Sequence, residues 1–194
     1  MNEKTSEPAQ VLIWVDCEMT GLDIDNDELI EIAVIPTNLD LEFLDNKNED
    51  HGIDIVINPT QKGYERIQKN SLVKKMHENS GLTKILYTEK AESLEKAEKE
   101  VLNYIKKFSP KPFKSLLSGN SVHVDKKFID KYMPQVSKHL HYRIIDVSTI
   151  KELAKKWYPE VIALQKEKAS NHRALDDIIE SIEEMRYYKE NCFI

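Results

Sequence analysis

The residue pattern predicts an α/β fold built on a mixed sheet. Two observations carry this. Three apolar runs separated by turns come before any long helical pattern, which suits an antiparallel or mixed start to a sheet. After them, short apolar runs alternate with amphipathic stretches, as in strand–helix units.

The first run, Val11-Leu12-Ile13-Trp14-Val15, is five apolar residues long and reads as a buried strand. It leads into Asp16-Cys17-Glu18-Met19-Thr20-Gly21-Leu22. Side chains alternate along a strand, so Asp16 and Glu18 share one face and Cys17 takes the other. Gly21 permits a sharp exit. The polar turn Asp23–Asp27 invites a calcium-loop reading that fails. The sixth position is Glu28 where Gly is needed, and the twelfth is Val34 where Glu is needed. Leu29 to Ile35 is a second strand closed by Pro36, and Ile53 to Ile57 a third.

Residues 64–80 predict one or two short helical turns, ended by Ser80-Gly81. Leu94, Ala97, Val101, Ile105 and Phe108 recur at helical spacing and predict an amphipathic helix over 91–108. Ser115-Leu116-Leu117 is a short strand entering the loop Gly119-Asn120-Ser121. A helix follows from Asp125 to Tyr132, stopping near Pro134. Arg143–Val147 is a strand, and Ser148 a cap for a helix over 149–157. Residues 160–170 are a polar loop. Ser170 or Asn171 caps the last helix, which runs to about Lys189 with the stripe Leu175, Ile178, Ile179, Ile182 and Met185.

The 194 residues suit one domain over 11–194 behind a disordered tail over 1–10. No apolar run is long enough to span a bilayer, and the first ten residues lack targeting character, so the expected location is cytoplasmic with an organellar one left open. Two cysteines without a CxxC spacing argue against a disulfide framework or a zinc knuckle. The net charge of −6 is unevenly placed. Through Asp54 there are two basic residues against fifteen acidic, and from Lys111 to Lys168 twelve basic against six acidic. That asymmetry suggests a metal-binding pole beside a phosphate-attracting one. There is no GxGxxG, phosphate loop, GxSxG or HExxH.

What remains is a set of carboxylates near element ends, Asp16, Glu18, Asp125 and Asp176 or Asp177, with His172 before the last helix. Five helical residues would separate His172 and Asp177 by about 140°, so they serve one site only if His172 lies in the preceding loop. Helix geometry barely separates Asp176 from Asp177. Each residue alone has a plain alternative: a solvated strand end, a helix cap, an exposed loop histidine. Together, four carboxylates match two hard divalent cations in phosphoryl displacement, and a histidine can take the proton from the attacking water.

The stretches Asp16–Leu22, Gly119–Asp125, His141–Thr149 and His172–Ile178 closely resemble the oligoribonuclease family, DEDDh 3′-to-5′ exonucleases with an RNase H-like fold. The resemblance covers about residues 11–190. It implies that Asp16, Glu18, Asp125 and Asp177 hold two Mg²⁺ or Mn²⁺ ions and that His172 is the general base. It also selects Asp177 over Asp176. It further implies short single-stranded RNA substrates, down to dinucleotides, and a homodimer. Leu22 would wedge against a base. Ser121, Arg143, Ser148 and Thr149 would meet the 5′ phosphate, a good seat for an anion at a helix N-terminus. Tyr142, and Arg143 in part, would come from the partner subunit. One position departs from the family: Leu72 stands where a tryptophan is usual. Leucine cannot stack on a base as an indole does, which predicts weaker dinucleotide binding. The alternatives are a related DEDDh exonuclease acting on longer RNA or DNA, and a catalytically idle RNA-binding module.

Overall fold

A computed structural model describes residues 10–47, 49–165 and 173–193. Its sheet has six strands in the order β4-β3-β2-β1-β5-β6. β1 (Leu12–Met19), β2 (Leu29–Thr37) and β3 (Ile53–Ile57) form an antiparallel meander. β4 (Ala91–Glu92) lies parallel to β3. β5 (Leu116–Gly119) runs parallel to β1, and β6 (Ile144–Asp146) parallel to β5. The mixed sheet flanked by helices is therefore the architecture the sequence predicts.

The alternation along β1 divides the core in two. Ile13, Val15, Cys17 and Met19 pack with residues of α3 (Leu94–Phe108), α4 (His123–Tyr132) and α5 (Pro134–His139). Leu12 and Trp14 face α6 (Val147–Trp157) and α8 (Ala174–Cys192). Asp16 and Glu18 continue this second face, so the strand itself carries both carboxylates toward α8. Trp14 is fully buried, and its indole N–H finds Thr37 Oγ1 at 2.9 Å, which removes the cost of burying that donor.

Several boundaries differ from the sequence expectation, each for a local reason. Pro36 does not close β2. The ladder to β3 runs only from Glu31 to Val34, so the missing N–H of Pro36 leaves no partner unmet there, and Ile13 still pairs with it. Residues 64–80 form two full helices, α1 (Gln61–Lys69) and α2 (Ser71–Asn79). Thr60 caps the first. Asn70 ends it and caps the second, accepting from the Leu72 and Val73 N–H groups. The amphipathic stretch gives up its first residues to β4, and Ser93 caps what remains. Asp146, not Ser148, caps α6: its carboxylate accepts the Ser148 N–H at 3.0 Å. The expected loop over 160–170 opens with a short helix, α7 (Pro159–Ala163). Arg173 stands at the N-cap of α8 with no side-chain capping bond. The expected caps Ser170 and Asn171 lie outside the described residues, as do residues 1–9 of the expected tail over 1–10.

Gly119 is required where β5 meets β1. A Cβ there would lie 2.7 Å from the Val15 carbonyl oxygen. The β1–β5 ladder ends at Trp14 and Ser118, and the strands part beyond it. Parting strands at their carboxyl ends leave a crevice with unclaimed backbone donors, a natural ligand site in an α/β sheet. Among the described residues no helix is long and apolar enough to cross a membrane. Cys17 and Cys192 are free thiols.

Candidate active site

Asp16 and Glu18 reach the crevice from β1, and Asp177 reaches it from the first turn of α8. Carboxylate oxygens of the three lie within 4.8 Å of one another. Asp177 is held there by its own N–H, which donates to the Arg173 carbonyl at 3.0 Å. Asp176 is exposed and stands outside the group, so the packing of α8 separates two neighbours that helical geometry alone could not. Asp125 arrives from the opposite side of the sheet, at the start of α4. It is 6 % exposed, and its Oδ1 accepts the Cys17 N–H at 3.0 Å, the donor freed where β1 and β5 part. It is not within the tight group of three, but its charge is the largest one acting on Asp16.

This crowding of anions has a measurable consequence. Burial pushes Asp16 well above the usual carboxylate range, and the charges of Asp125, Glu18, Asp177 and Glu31 push it further. Burial and then Glu31, Asp177 and Asp125 raise Glu18 to about 8, with Arg173 working the other way. Asp125 rises to about 6 through burial, which its backbone N–H bonds partly offset. The donors are all oxygens, partly or fully buried, and mutually repelling. That is the chemistry of a site for a hard divalent cation, since bound positive charge would relieve both the repulsion and the lost hydration.

Residues that sequence reasoning missed complete the surroundings. Glu31 sits opposite Glu18 in the β1–β2 register and is fully buried. Burial and the nearby Asp54 raise it to about 7, while Arg173 opposes them. Arg173 grips both acids: Nη2 lies 2.9 Å from Glu31 Oε1 and 2.9 Å from Asp54 Oδ2. His77, fully buried on α2, has Nε2 2.9 Å from the Met19 carbonyl oxygen and Nδ1 3.8 Å from Glu18 Oε2. A carbonyl only accepts, so Nε2 carries the proton and Nδ1 faces the Glu18 carboxyl group. The one signal for Glu31 was a lone charge inside an otherwise apolar strand. For His77 no local pattern points to this contact, because it spans 58 residues.

The expected substrate residues fall into two groups. Leu22 and Leu72 are both about three-quarters exposed, at 75 % and 76 %. Leu22 lines an open cavity of about 570 Å³ together with Arg66 and Ser71, the neighbour of Leu72. The turn bearing Leu22 is fixed by Asp27, which accepts from Thr20 Oγ1, the Asp23 N–H and Arg66 Nε at 2.9, 2.9 and 2.5 Å. A Cβ on Gly21 would lie 2.4 Å from that carboxylate. In the second group, Ser121 Oγ and Ser148 Oγ are 3.0 Å apart, and Thr149 is exposed on the next residue of α6. Tyr142 is exposed, stacked on His141, with the Arg143 guanidinium 5.4 Å from its ring centre. His172 lies outside the described residues.

The RNase_T family profile, described as exonuclease, matches residues 13–185, which places the chain among the exonucleases. The mitochondrial oligoribonuclease of Bos taurus is 48 % identical over 185 residues, covering 95 % of this chain and 74 % of the relative. The oligoribonuclease of Leifsonia xyli subsp. xyli is 45 % identical over 183 residues, covering 94 % and 84 %. The chain belongs to the oligoribonuclease family, exonucleases that hydrolyse RNA. Among solved structures, a moderately thermophilic exonuclease I from Methylocaldum szegediense has a TM-score of 0.66 at 16 % identity. The zinc-bound exonuclease I–ssDNA complex of E. coli has a TM-score of 0.68 at 13 % identity. The match covers 94 % and 95 % of this chain but 41 % of each of those chains, and at such identity it shows the shared fold alone.

Proposed function

We propose that this chain is a two-metal 3′-to-5′ exoribonuclease that degrades short oligoribonucleotides, down to dinucleotides, to 5′-mononucleotides. The observation that carries the reading is the convergence of Asp16, Glu18 and Asp177 within 4.8 Å at the end of the central strand. With Asp125 beside them, these side chains would hold two Mg²⁺ or Mn²⁺ ions. Such ions, when bound, supply an acidified water and stabilise the attacking and leaving oxygens of the displacement. His172 takes the proton from the attacking water. The water oxygen bonds to phosphorus as the bond to the 3′ oxygen of the preceding nucleotide breaks. Ser121, Arg143, Ser148 and Thr149 seat the 5′ phosphate, Leu22 wedges against a base, and Leu72 covers it without stacking. Closing the substrate's 5′ end in this way makes the site a ruler for length.

The exposed Tyr142, with the Arg143 guanidinium 5.4 Å from its ring centre, supports a homodimer in which the partner subunit supplies Tyr142 and part of the Arg143 contact. The mitochondrial relative of Bos taurus and the bacterial one of Leifsonia xyli suit a cytoplasmic or organellar location. A second reading is hydrolysis of longer RNA or of DNA; the E. coli exonuclease I structures that share this fold hold single-stranded DNA in one case and a dT13 oligonucleotide in another.

Purified protein with Mn²⁺ and end-labelled substrates of two to twenty nucleotides separates the readings. Fastest turnover of the dinucleotide supports the first. Activity on long strands alone supports the second, and no hydrolysis at any length supports an idle binding module.

A further inference from the structure

Ser121 and Ser148 stand at the end of a chain of polar contacts that begins inside α8. Glu184 is 4 % exposed. Its Oε1 lies 3.0 Å from Lys151 Nζ and accepts from the Tyr188 hydroxyl at 2.8 Å. Its Oε2 accepts from Asn120 Nδ2 at 3.1 Å, and the same Nδ2 reaches Ser181 Oγ at 2.9 Å. A carboxylate only accepts, so the Asn120 atom facing it is the amide nitrogen. That fixes which way the Asn120 amide lies, and its Oδ1 faces Ser148 Oγ at 3.1 Å.

A carbonyl oxygen donates nothing, so the Ser148 hydroxyl proton is committed to Asn120. The Ser148 oxygen is left to accept, and the Ser121 N–H reaches it at 2.9 Å. Ser121 Oγ, 3.0 Å from Ser148 Oγ, is then the donor of that pair in the substrate-free protein. Its own proton can turn outward without leaving a carbonyl or carboxylate bare. Ser121 also holds a left-handed backbone, φ 50°, which a serine adopts at a cost and keeps when its surroundings enforce it. Asp146 Oδ1, 2.9 Å from the Ser121 N–H, is part of that enforcement.

We infer that Asn120 and Glu184 are positioning residues for the substrate's 5′ phosphate: they turn the Ser148 proton inward, so that of the two serines Ser121 is the hydroxyl donor to a phosphate oxygen. This rests on the proposed phosphate seat. The test compares kcat/KM for a 5′-phosphorylated dinucleotide with that for its 5′-hydroxyl counterpart, in wild type and Asn120→Ala. The wild-type preference for the phosphorylated substrate should fall by about tenfold or more in the variant, with the loss in KM. A general loosening of the fold would slow both substrates alike and leave the ratio unchanged, which overturns the relay. A wild-type ratio of one overturns the phosphate seat itself, a separate failure. Should Asn120→Ala lack a cooperative melt, Glu184→Gln removes the carboxylate that fixes the Asn120 amide, and the same ratio is read, an unchanged ratio again overturning the relay.

Discussion

Replacing Glu18 by Gln should make the metal-free protein more stable at neutral and alkaline pH. Glu18 has an ordinary pKa of 4.5 that burial and its anionic neighbours raise to about 8. The native state therefore holds a proton that the unfolded chain releases. Between pH 4.5 and about 8 the folded protein binds more protons at this group, so stability falls as pH rises. At pH 7 the group has lost most of the span from its unfolded value. At about 1.4 kcal/mol per unit, that amounts to roughly 3 kcal/mol relative to acid pH. For a chain of this size, 1 kcal/mol corresponds to about 2–4 °C in Tm, so the effect is roughly 6–12 °C. Gln keeps the shape and removes the titration. Thermal melts in EDTA at pH 5, 6, 7 and 8 should show a shallower pH slope for Glu18→Gln and a higher Tm at pH 8. Added Mn²⁺ should raise the wild-type Tm at pH 8 and do much less for the variant. Parallel pH slopes for the two proteins, or a variant less stable at pH 8 without metal, would refute the reasoning that burial, reinforced by neighbouring anions, holds a proton on Glu18.

Three further outcomes follow from the same geometry. His172→Ala should lower turnover by about two to four orders of magnitude, the usual span for a general base, while calorimetry still detects Mn²⁺ binding; full activity would remove His172 from the reaction. Leu72→Trp should lower KM for dinucleotides, since stacking one base on an aromatic ring contributes about 1–3 kcal/mol, and an unchanged KM would place Leu72 away from the base. Asp27→Ala deletes three bonds that hold the Leu22 turn, the one to Arg66 among them; it should cost about 3 kcal/mol in denaturant melts and raise KM, and a variant as stable as wild type would show the turn is held by other means.

The sequence by itself determined the strand that anchors the site and which face of it bears charge. A period of two puts Asp16 and Glu18 together whatever the rest of the chain does, and the helical stripe of α8 requires Ile178 and Ile182 to pack on the sheet. Those are local consequences of backbone geometry. The choice of Asp177 over Asp176 needed either a family resemblance or the docked helix, because the two differ by one helical step on the same polar side. Boundaries were misplaced where a side-chain cap decided them, as at Asn70 and Asp146, since a cap depends on one hydrogen bond and not on a periodic pattern.

Only the tertiary structure decided who surrounds the carboxylates. The Arg173 grip on Glu31 and Asp54 spans 142 and 119 residues, and the Asp125 bond to the Cys17 amide spans 108. The direction of the Asn120 amide depends on Glu184, 64 residues away. No periodicity in a chain encodes contacts of that kind. They arise because burying a polar group is costly unless a partner meets it, and the partner is whichever residue the packed elements bring within reach.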